Sequence, residues 1–421
     1  MSAFDLSVRF FLQLAFVLAA CRGVGWIARR FGQPQVVAEM ITGVILGPSL
    51  LGLFDFSRPA QQWLFPPESK PIFFAICQVG LALYMFLVGV EFRSDLFKSR
   101  ARAAASVSIA GMVTPFVLGG LLALWFLQRP GMFFTAKVQG WEAFLYLGAS
   151  MCITAFPMLA RIIVERGLAG TSLGTLALAA GAMDDAAAWC LLAVVLASFQ
   201  DNWLIAAKAI GGGIAYATLT LTLGRSLFRR FERTVQPDGT LSQTALAVVL
   251  MLVMLGAWFT DAVGIYAVFG AFILGCAMPR GTFATALNRQ MEPMIVVFLL
   301  PTFFVYSGLN TRLDLVTSPE LWLAAGLVLV AACVGKFVAC WAAARLHGED
   351  NPTSLAVGTL MNARGLMELI ILNIGLERGL ITPQLFSIMV VMAIATTLMA
   401  TPVFEWVYGR SARARGDLAA A

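Results

Sequence analysis

The chain has 421 residues, of which 60% are hydrophobic and only 12% charged, with a formal net charge of +6. Soluble domains carry about 25% charged residues, so this composition excludes a soluble globular protein and is typical of a polytopic membrane protein. Seven cysteines lie scattered without paired spacing, and the chain has a single histidine. Neither a disulfide framework nor a histidine-based metal site is therefore predicted.

Apolar segments of about 20 residues, the length that a helix needs to cross a bilayer, fill nearly the whole chain. Breaks at glycine, proline and charged residues divide them into 13 predicted transmembrane helices. Their approximate ranges are 6–28, 35–53, 71–90, 103–127, 141–162, 171–198, 203–228, 241–260, 263–279, 289–308, 319–345, 352–376 and 382–408. We predict an all-α polytopic membrane protein, with a transmembrane domain over residues 1–410 and a short cytoplasmic tail over 411–421.

Most of the 29 Lys and Arg residues fall in the loops on one side of this arrangement. Cytoplasmic loops carry such an excess of basic residues. The distribution therefore predicts an N-terminus outside and a C-terminus in the cytoplasm. We expect the membrane to be of the bacterial inner (plasma) membrane type.

The two halves of the chain contain similar short motifs. Gly43-Val-Ile-Leu-Gly47 is matched by Ala271-Phe-Ile-Leu-Gly275, and Val88-Gly89 is matched by Ser307-Gly308. An odd number of predicted helices separates the equivalent elements, so the second half would be inverted in the membrane. Such weak symmetry is typical of transporters and predicts two six-helix inverted-topology repeats joined by a linker helix. The alternative explanation is that the motifs match only because glycine-rich apolar helices resemble each other in composition.

Two adjacent carboxylates are predicted inside the membrane. Asp184 and Asp185 are the only charged residues between Gly167 and Gln200. An ionised carboxylate in hydrocarbon is costly, so ionisable residues there mark functional sites. Adjacent helical residues point in directions roughly 100° apart. We therefore expect one carboxylate to face a solute path and the other to face a partner. For either aspartate taken alone, the alternative is a purely structural pairing with a buried basic residue.

Two predicted helices contain breaks. Thr154-Ala-Phe-Pro157 interrupts one of them, because proline removes a backbone donor and disfavours helical angles at the preceding residue. Its counterpart in the second half contains Asn362-Ala-Arg-Gly365. Carbonyl groups freed at such breaks can bind a cation where they line a cavity, and paired broken helices mark the binding sites of many transporters. A kink without function is the alternative for each break alone.

Lys336, Arg364 and Glu368 carry further charge within predicted helices. Lys336 lies deep in its segment, and we expect it to pair with an aspartate; reaching the membrane interface is the alternative. Arg364 and Glu368 are four residues apart and would neutralise each other on one helical face. We predict structural or gating roles for Arg364, Glu368, Pro157 and Asn362.

Three motifs occur in the order Ile153-Thr-Ala-Phe-Pro-Met-Leu-Ala-Arg-Ile162, Ala182-Met-Asp-Asp-Ala-Ala-Ala-Trp189 and Leu360-Met-Asn-Ala-Arg-Gly-Leu-Met-Glu-Leu-Ile-Ile-Leu-Asn-Ile-Gly375. Together they resemble the sodium/hydrogen exchanger superfamily, and most closely its monovalent cation:proton antiporter-2 family. The resemblance implies the sodium/proton antiporter fold with crossed discontinuous helices, a homodimer and an elevator movement. The moving core would comprise helices over 103–198 and 319–408, and the dimerisation scaffold those over 6–90 and 241–308, with the linker helix over 203–228.

The same resemblance implies roles for individual residues. Asp185 matches the essential carrier of cation and proton, and Thr154 matches the residue at the unwound crossover. Lys336 resembles the lysine that pairs with the first aspartate, here Asp184. Many relatives have Asn or Gln before the carrier, whereas the Asp-Asp pair resembles electrogenic sodium/proton antiporters. Asp184, Asp185 and Thr154 are thus expected to form the Na⁺ or K⁺ site.

The sequence therefore predicts a transporter, not an enzyme, that exchanges Na⁺ or K⁺ for protons and serves pH homeostasis. Its expected partners are the transported ions, the lipid bilayer and a second copy of the chain. No resident cofactor, nucleic acid or nucleotide-binding domain is expected. A sodium-coupled symporter of an organic solute is the alternative, and a channel is less favoured. Beyond Thr154 and Asn362, the broken helices offer few polar side chains for an organic substrate.

Overall fold

The computed structural model describes residues 3–31, 33, 35–53, 56, 58–91, 94–168, 171–199, 203–309, 318–409 and 412. In this part of the chain the secondary structure is helical, apart from isolated bridges that pair Phe134 with Ile381 and Val235 with Leu241. The α-helices are α1 (Ala3–Arg30), α2 (Gln35–Leu46), α3 (Arg58–Leu64), α4 (Lys70–Glu91), α5 (Ser94–Phe126), α6 (Gly140–Cys152), α7 (Phe156–Glu165), α8 (Ser172–Phe199), α9 (Trp203–Leu219), α10 (Arg225–Phe228), α11 (Gln243–Ala262), α12 (Ala267–Ala277), α13 (Thr282–Met294), α14 (Leu300–Leu309), α15 (Pro319–Leu346), α16 (Asn351–Met361), α17 (Leu366–Glu377) and α18 (Pro383–Phe404).

Seven helical segments among the described residues are long and apolar enough to cross a membrane. They are Phe4–Arg30, Arg58–Glu91, Arg100–Phe126, Trp203–Thr234, Gln243–Ala262, Pro319–Leu346 and Pro383–Gly409. The shorter helices α2 and α12 are also apolar. The all-helical membrane architecture expected from composition is confirmed. The count of 13 crossings stays a prediction, because a short or interrupted helix does not by itself demonstrate a crossing.

One compact unit comprises Met1–Ala19, Leu64–Ser94 and Leu196–Tyr306. Within it, α12 packs against α4 and α11. Two glycines allow α4 and α12 to cross closely: a Cβ added to Gly89 would lie 2.2 Å from the carbonyl oxygen of Phe272, and one added to Gly275 would lie 2.2 Å from that of Phe86. Any larger residue at either position would force the backbones apart.

The other compact unit comprises Ala20–Trp63, Asp95–Val195 and Ser307–Ala421. Within it, α15 packs against α16 and α18, while α17 packs against α6 and α18, and α2 contacts α7 and α18. A second close crossing joins α2 to α14. A Cβ on Gly308 would lie 2.2 Å from the carbonyl carbon of Gly43, and a Cβ on Gly47 would lie 2.7 Å from the oxygen of Gly308.

The two close crossings use the glycines of the motifs that recur in the two halves of the chain. Gly47 and Gly275 occupy matching places in one motif, and Gly89 and Gly308 occupy matching places in the other. First-half α2 crosses second-half α14, and second-half α12 crosses first-half α4. Equivalent contacts are therefore made twice, each time between one element from each half.

We expect Gly308→Ala to destabilise the protein, because its new Cβ would meet the backbone of Gly43. Overpacking of this kind costs about 1–3 kcal/mol, which would lower the thermal midpoint of the detergent-purified protein. The matched control is Gly326→Ala in α15, where nothing lies within 4 Å of an added Cβ. Equal midpoints for the two variants would contradict the close crossing.

Candidate functional site

The first helix break separates α6 from α7. Ile153 has extended backbone angles, with φ −67° and ψ 136°, and the helical pattern resumes at Phe156. Pro157 lies in the first turn of α7, where the missing N–H of proline removes no helical hydrogen bond. Thr154 lies in the nonhelical segment and is fully buried. The break that the sequence predicted at this position is present.

The second break separates α16 from α17 and contacts the first. α16 ends at Met361, and the nonhelical backbone of residues 363–365 follows Asn362. The backbone N–H of Ala155 donates to the carbonyl of Ala363 at 3.2 Å. Thr154 Oγ1 lies 3.5 Å from the carbonyl oxygen of Met361. The interrupted helices therefore meet at their nonhelical segments. Backbone groups that one helix leaves without helical hydrogen bonds partly find partners in the nonhelical segment of the other.

Helix α8 brings Asp184 to these breaks. Its Oδ2 accepts hydrogen bonds from Thr154 Oγ1 at 2.5 Å and from Lys336 Nζ at 3.1 Å. All three residues have 0% of their surface exposed. Lys336 also donates to the carbonyl of Cys152, the last residue of α6. The expected pairing of Lys336 with an aspartate is present, and the partner is Asp184.

Asp185 follows in the same helix and is 5% exposed. Because successive helical side chains point in different directions, it does not share the position of Asp184. The hydrogen bonds of Thr154 and Lys336 go to Asp184. Asp184 therefore faces a partner, as the sequence predicted for one of the pair, and a solute path at Asp185 stays a prediction.

Arg364 and Glu368 occupy the second break and the start of α17. Arg364 is fully buried, and its guanidinium donates to the carbonyl of Met151 in α6. Glu368 is 1% exposed, and neither of its carboxylate oxygens has a hydrogen-bond partner among the described residues. The expectation that the two share one helical face is wrong, because α17 begins only at Leu366. The guanidinium instead connects the break to α6.

The ends of the interrupted helices explain where the buried charges lie. The carbonyls of Met151 and Cys152 close α6 and accept from Arg364 and Lys336, respectively. A helix C-terminus carries partial negative charge and favours cations, and an N-terminus favours anions. Glu368 lies accordingly in the first turn of α17. Each break thus places a charged side chain at a helix end of opposite sign.

Sequence reasoning missed Thr397. Its hydroxyl donates to the carbonyl of Arg364 and accepts from the N–H of Arg364 at 3.1 Å, so it satisfies both backbone groups of that residue. The hydroxyl lies on α18 and is fully buried. The available signal was a group of three threonines, Thr396, Thr397 and Thr401, in a mostly apolar helix.

We expect Lys336→Met to destabilise the protein strongly, because it leaves Asp184 buried without its countercharge. Removing one partner of a buried ion pair costs about 3–5 kcal/mol, whereas replacing both partners by uncharged groups is often nearly neutral. The double variant Lys336→Met/Asp184→Asn should therefore recover most of the lost thermal stability. The control is Lys208→Met, which removes an exposed lysine of α9. Additive losses in the double variant would contradict a direct pair.

Comparisons with known proteins agree with this architecture. The transmembrane model of the sodium/hydrogen exchanger family matches residues 14–408. The chain is 40% identical over 397 residues to Na(+)/H(+) antiporter NhaS4 of Synechocystis, covering 93% of this chain and 95% of that protein. It is 34% identical over 410 residues to Cation/H(+) antiporter 18 of Arabidopsis thaliana, covering 96% of this chain. It spans 50% of that plant protein's length.

A solved structure shows the same fold. The sodium proton antiporter MjNhaP1 from Methanocaldococcus jannaschii superposes with a TM-score of 0.64, covering 94% of this chain and 96% of its own, at 15% sequence identity. This likeness supports the sodium/proton antiporter fold, and the match to the family model extends across almost the whole chain. The chain therefore belongs to the sodium/hydrogen exchanger family, among its monovalent cation:proton antiporters.

Proposed function

We propose that this protein is a secondary active transporter that exchanges Na⁺ or K⁺ for protons. The observation that carries the proposal is a buried carboxylate pair, Asp184 and Asp185, placed where two interrupted helices meet. Ionisable residues inside a membrane protein mark ion and proton pathways, and broken helices mark the binding sites of transporters. The related proteins named above are a Na(+)/H(+) antiporter and a cation/H(+) antiporter.

Asp185 is the carrier in this mechanism and binds a proton or a monovalent cation, but never both. At one face of the membrane it holds a proton, and at the other face a cation displaces that proton. Either the proton or the cation neutralises the Asp185 carboxylate, which lowers the free-energy cost of moving the site through a low-dielectric barrier. An empty, charged site does not cross, so the two fluxes are coupled.

We infer that further oxygen atoms complete the cation site of Asp185. Asp184 Oδ1 is buried and has no hydrogen-bond partner among the described residues. Thr154 adds a hydroxyl and lies in nonhelical backbone. Hard cations prefer carboxylate, amide and carbonyl oxygens. Asp184, Asp185 and Thr154 are the proposed ligands, and Asn362, Pro157, Arg364 and Glu368 maintain the breaks around them.

Lys336 couples a second proton to the exchange. When the cation draws Asp184 into its coordination shell, the ammonium loses its countercharge and releases a proton. Two protons then move one way for each cation that moves the other way, so each cycle transfers one net charge. The 3.1 Å contact between Lys336 Nζ and Asp184 Oδ2 supports this coupling.

An elevator movement in a homodimer is the proposed form of alternating access. Thr154, Asp184, Asp185 and Lys336 all belong to one compact unit of the chain, which also contains Ala20–Trp63 from the proposed scaffold. The core comprises helices over 103–198 and 319–408, the scaffold those over 6–90 and 241–308, and the linker that over 203–228. The two glycine crossings support two interlocked six-helix repeats, and the distribution of basic residues supports a cytoplasmic C-terminus. The proposed location is a bacterial inner membrane.

We expect Asp185→Asn to abolish exchange, because an amide cannot alternate between a proton and a cation. The measurement is dequenching of a proton-gradient dye in proteoliposomes after addition of Na⁺ or K⁺, with no organic solute present. The control is Asp261→Asn, which removes an exposed carboxylate at the end of α11. Retained exchange by a folded Asp185→Asn dimer would reject the carrier role, and a requirement for an organic solute would indicate symport.

We expect exchange by the native protein to respond to an imposed membrane potential, because one net charge moves in each cycle. A gradient of the permeant anion thiocyanate would set the potential while Na⁺-driven proton flux is recorded, because K⁺ is itself a proposed substrate. Lys336→Gln should remove the potential dependence if it retains exchange, since the second proton is lost. Native transport that is insensitive to potential would reject two protons per cation, while leaving antiport itself intact.

A further inference from the structure

An apolar crevice of about 650 Å³ lies along the first half of α5. Its floor includes Ala105, Ile109, Ala110 and Val113, which recur at helical spacing on one face. The small alanine side chains leave the space that longer residues would fill. Ile109 and Val113 are 63% and 54% exposed. Because Arg100–Phe126 is apolar and long enough to span a membrane, this floor faces hydrocarbon.

Two basic side chains, Arg102 and His347, line the same crevice. Arg102 lies at the start of the apolar span of α5, and His347 follows the last residue of α15. An ion pair between Arg100 and Glu349 holds the loop after α15 beside this end of α5. Neither the Arg102 guanidinium nor the His347 imidazole has a side-chain hydrogen bond or an ion pair with a described residue. Two exposed basic groups are therefore available at the end of an apolar surface.

We propose that this crevice is a binding site for an anionic phospholipid. The lipid phosphate contacts Arg102 and His347, and an acyl chain lies over Ile109, Ala110 and Val113. Basic pockets beside transmembrane helices bind anionic headgroups. The crevice volume lies within the range of small-ligand sites, roughly 300–1,000 Å³.

The shape and polarity of the crevice favour a lipid over a soluble anion. Inorganic phosphate would satisfy the basic groups but would leave the apolar floor uncovered. A phospholipid can contact both surfaces at once. Its phosphate would lie at the basic end of the crevice and its acyl chain along the apolar floor. The basic end also lies on the side of the predicted helix arrangement whose loops carry most Lys and Arg residues. These loops are predicted to be cytoplasmic, and anionic lipids are concentrated in that leaflet.

The test compares lipid retention by the full-length protein and the Arg102→Gln variant. Each is purified in detergent, incubated with phosphatidylglycerol or phosphatidylcholine, and examined by native mass spectrometry and thermal denaturation. We expect Arg102→Gln to reduce phosphatidylglycerol retention at least several-fold and to abolish its stabilising effect, with phosphatidylcholine retention unchanged. Arg230→Gln is the matched control, because it removes an exposed arginine outside the crevice.

A second variant tests the apolar floor separately. Ala110→Phe fills the crevice while leaving both basic groups in place, and it should also reduce phosphatidylglycerol retention; Ala105→Leu serves the same purpose if Ala110→Phe does not fold. Equal retention by Arg102→Gln and Arg230→Gln would overturn the proposal. So would equal binding of the two lipids by the native protein, or equal stabilisation by inorganic phosphate, which would indicate recognition of a headgroup anion alone.

Discussion

The buried ion pair between Lys336 and Asp184 is the interaction on which the rest of the site depends. Both charges are completely removed from solvent, where desolvation opposes ionisation unless each group has further partners. Thr154 supplies one for the carboxylate, and the carbonyl of Cys152 supplies one for the ammonium. These partners exist because α6 stops at Cys152. The helix break is therefore what makes the ion pair tolerable.

The same reasoning extends to the second break. An uninterrupted helix would use the carbonyl groups near Met361 within its own ladder, and no backbone there could meet the first break. Instead Ala155 bonds to Ala363, and Thr397 satisfies the backbone of Arg364. The interruption thus creates polar groups that the membrane interior would penalise, and the facing segment and α18 satisfy several of them.

Two structural features lie outside this polar centre and serve different needs. The glycine crossings of α2 with α14 and of α4 with α12 bring backbones together where side chains would separate them. They favour rigid contacts between elements of the two halves of the chain. The crevice on α5 presents the opposite situation, since its small residues leave space that no described side chain fills. Glycines thus allow backbones to pack closely at the crossings, whereas alanines leave open space along α5.

The sequence by itself determined the membrane class, the places of both helix breaks and the buried charges. Hydrocarbon penalises charged groups, so Asp184 and Lys336 stand out in apolar segments. Pro157 marks a break because proline cannot continue a regular helix. It also placed Lys336 opposite an aspartate. Only the tertiary structure decided which helix ends the buried charged side chains contact. Arg364 bonds to α6 rather than Glu368 because the helix restarts after it, and Thr397 comes from a distant segment. Helical spacing predicts neighbours along one helix, whereas contacts across interrupted helices depend on how their freed backbone groups find partners in three dimensions.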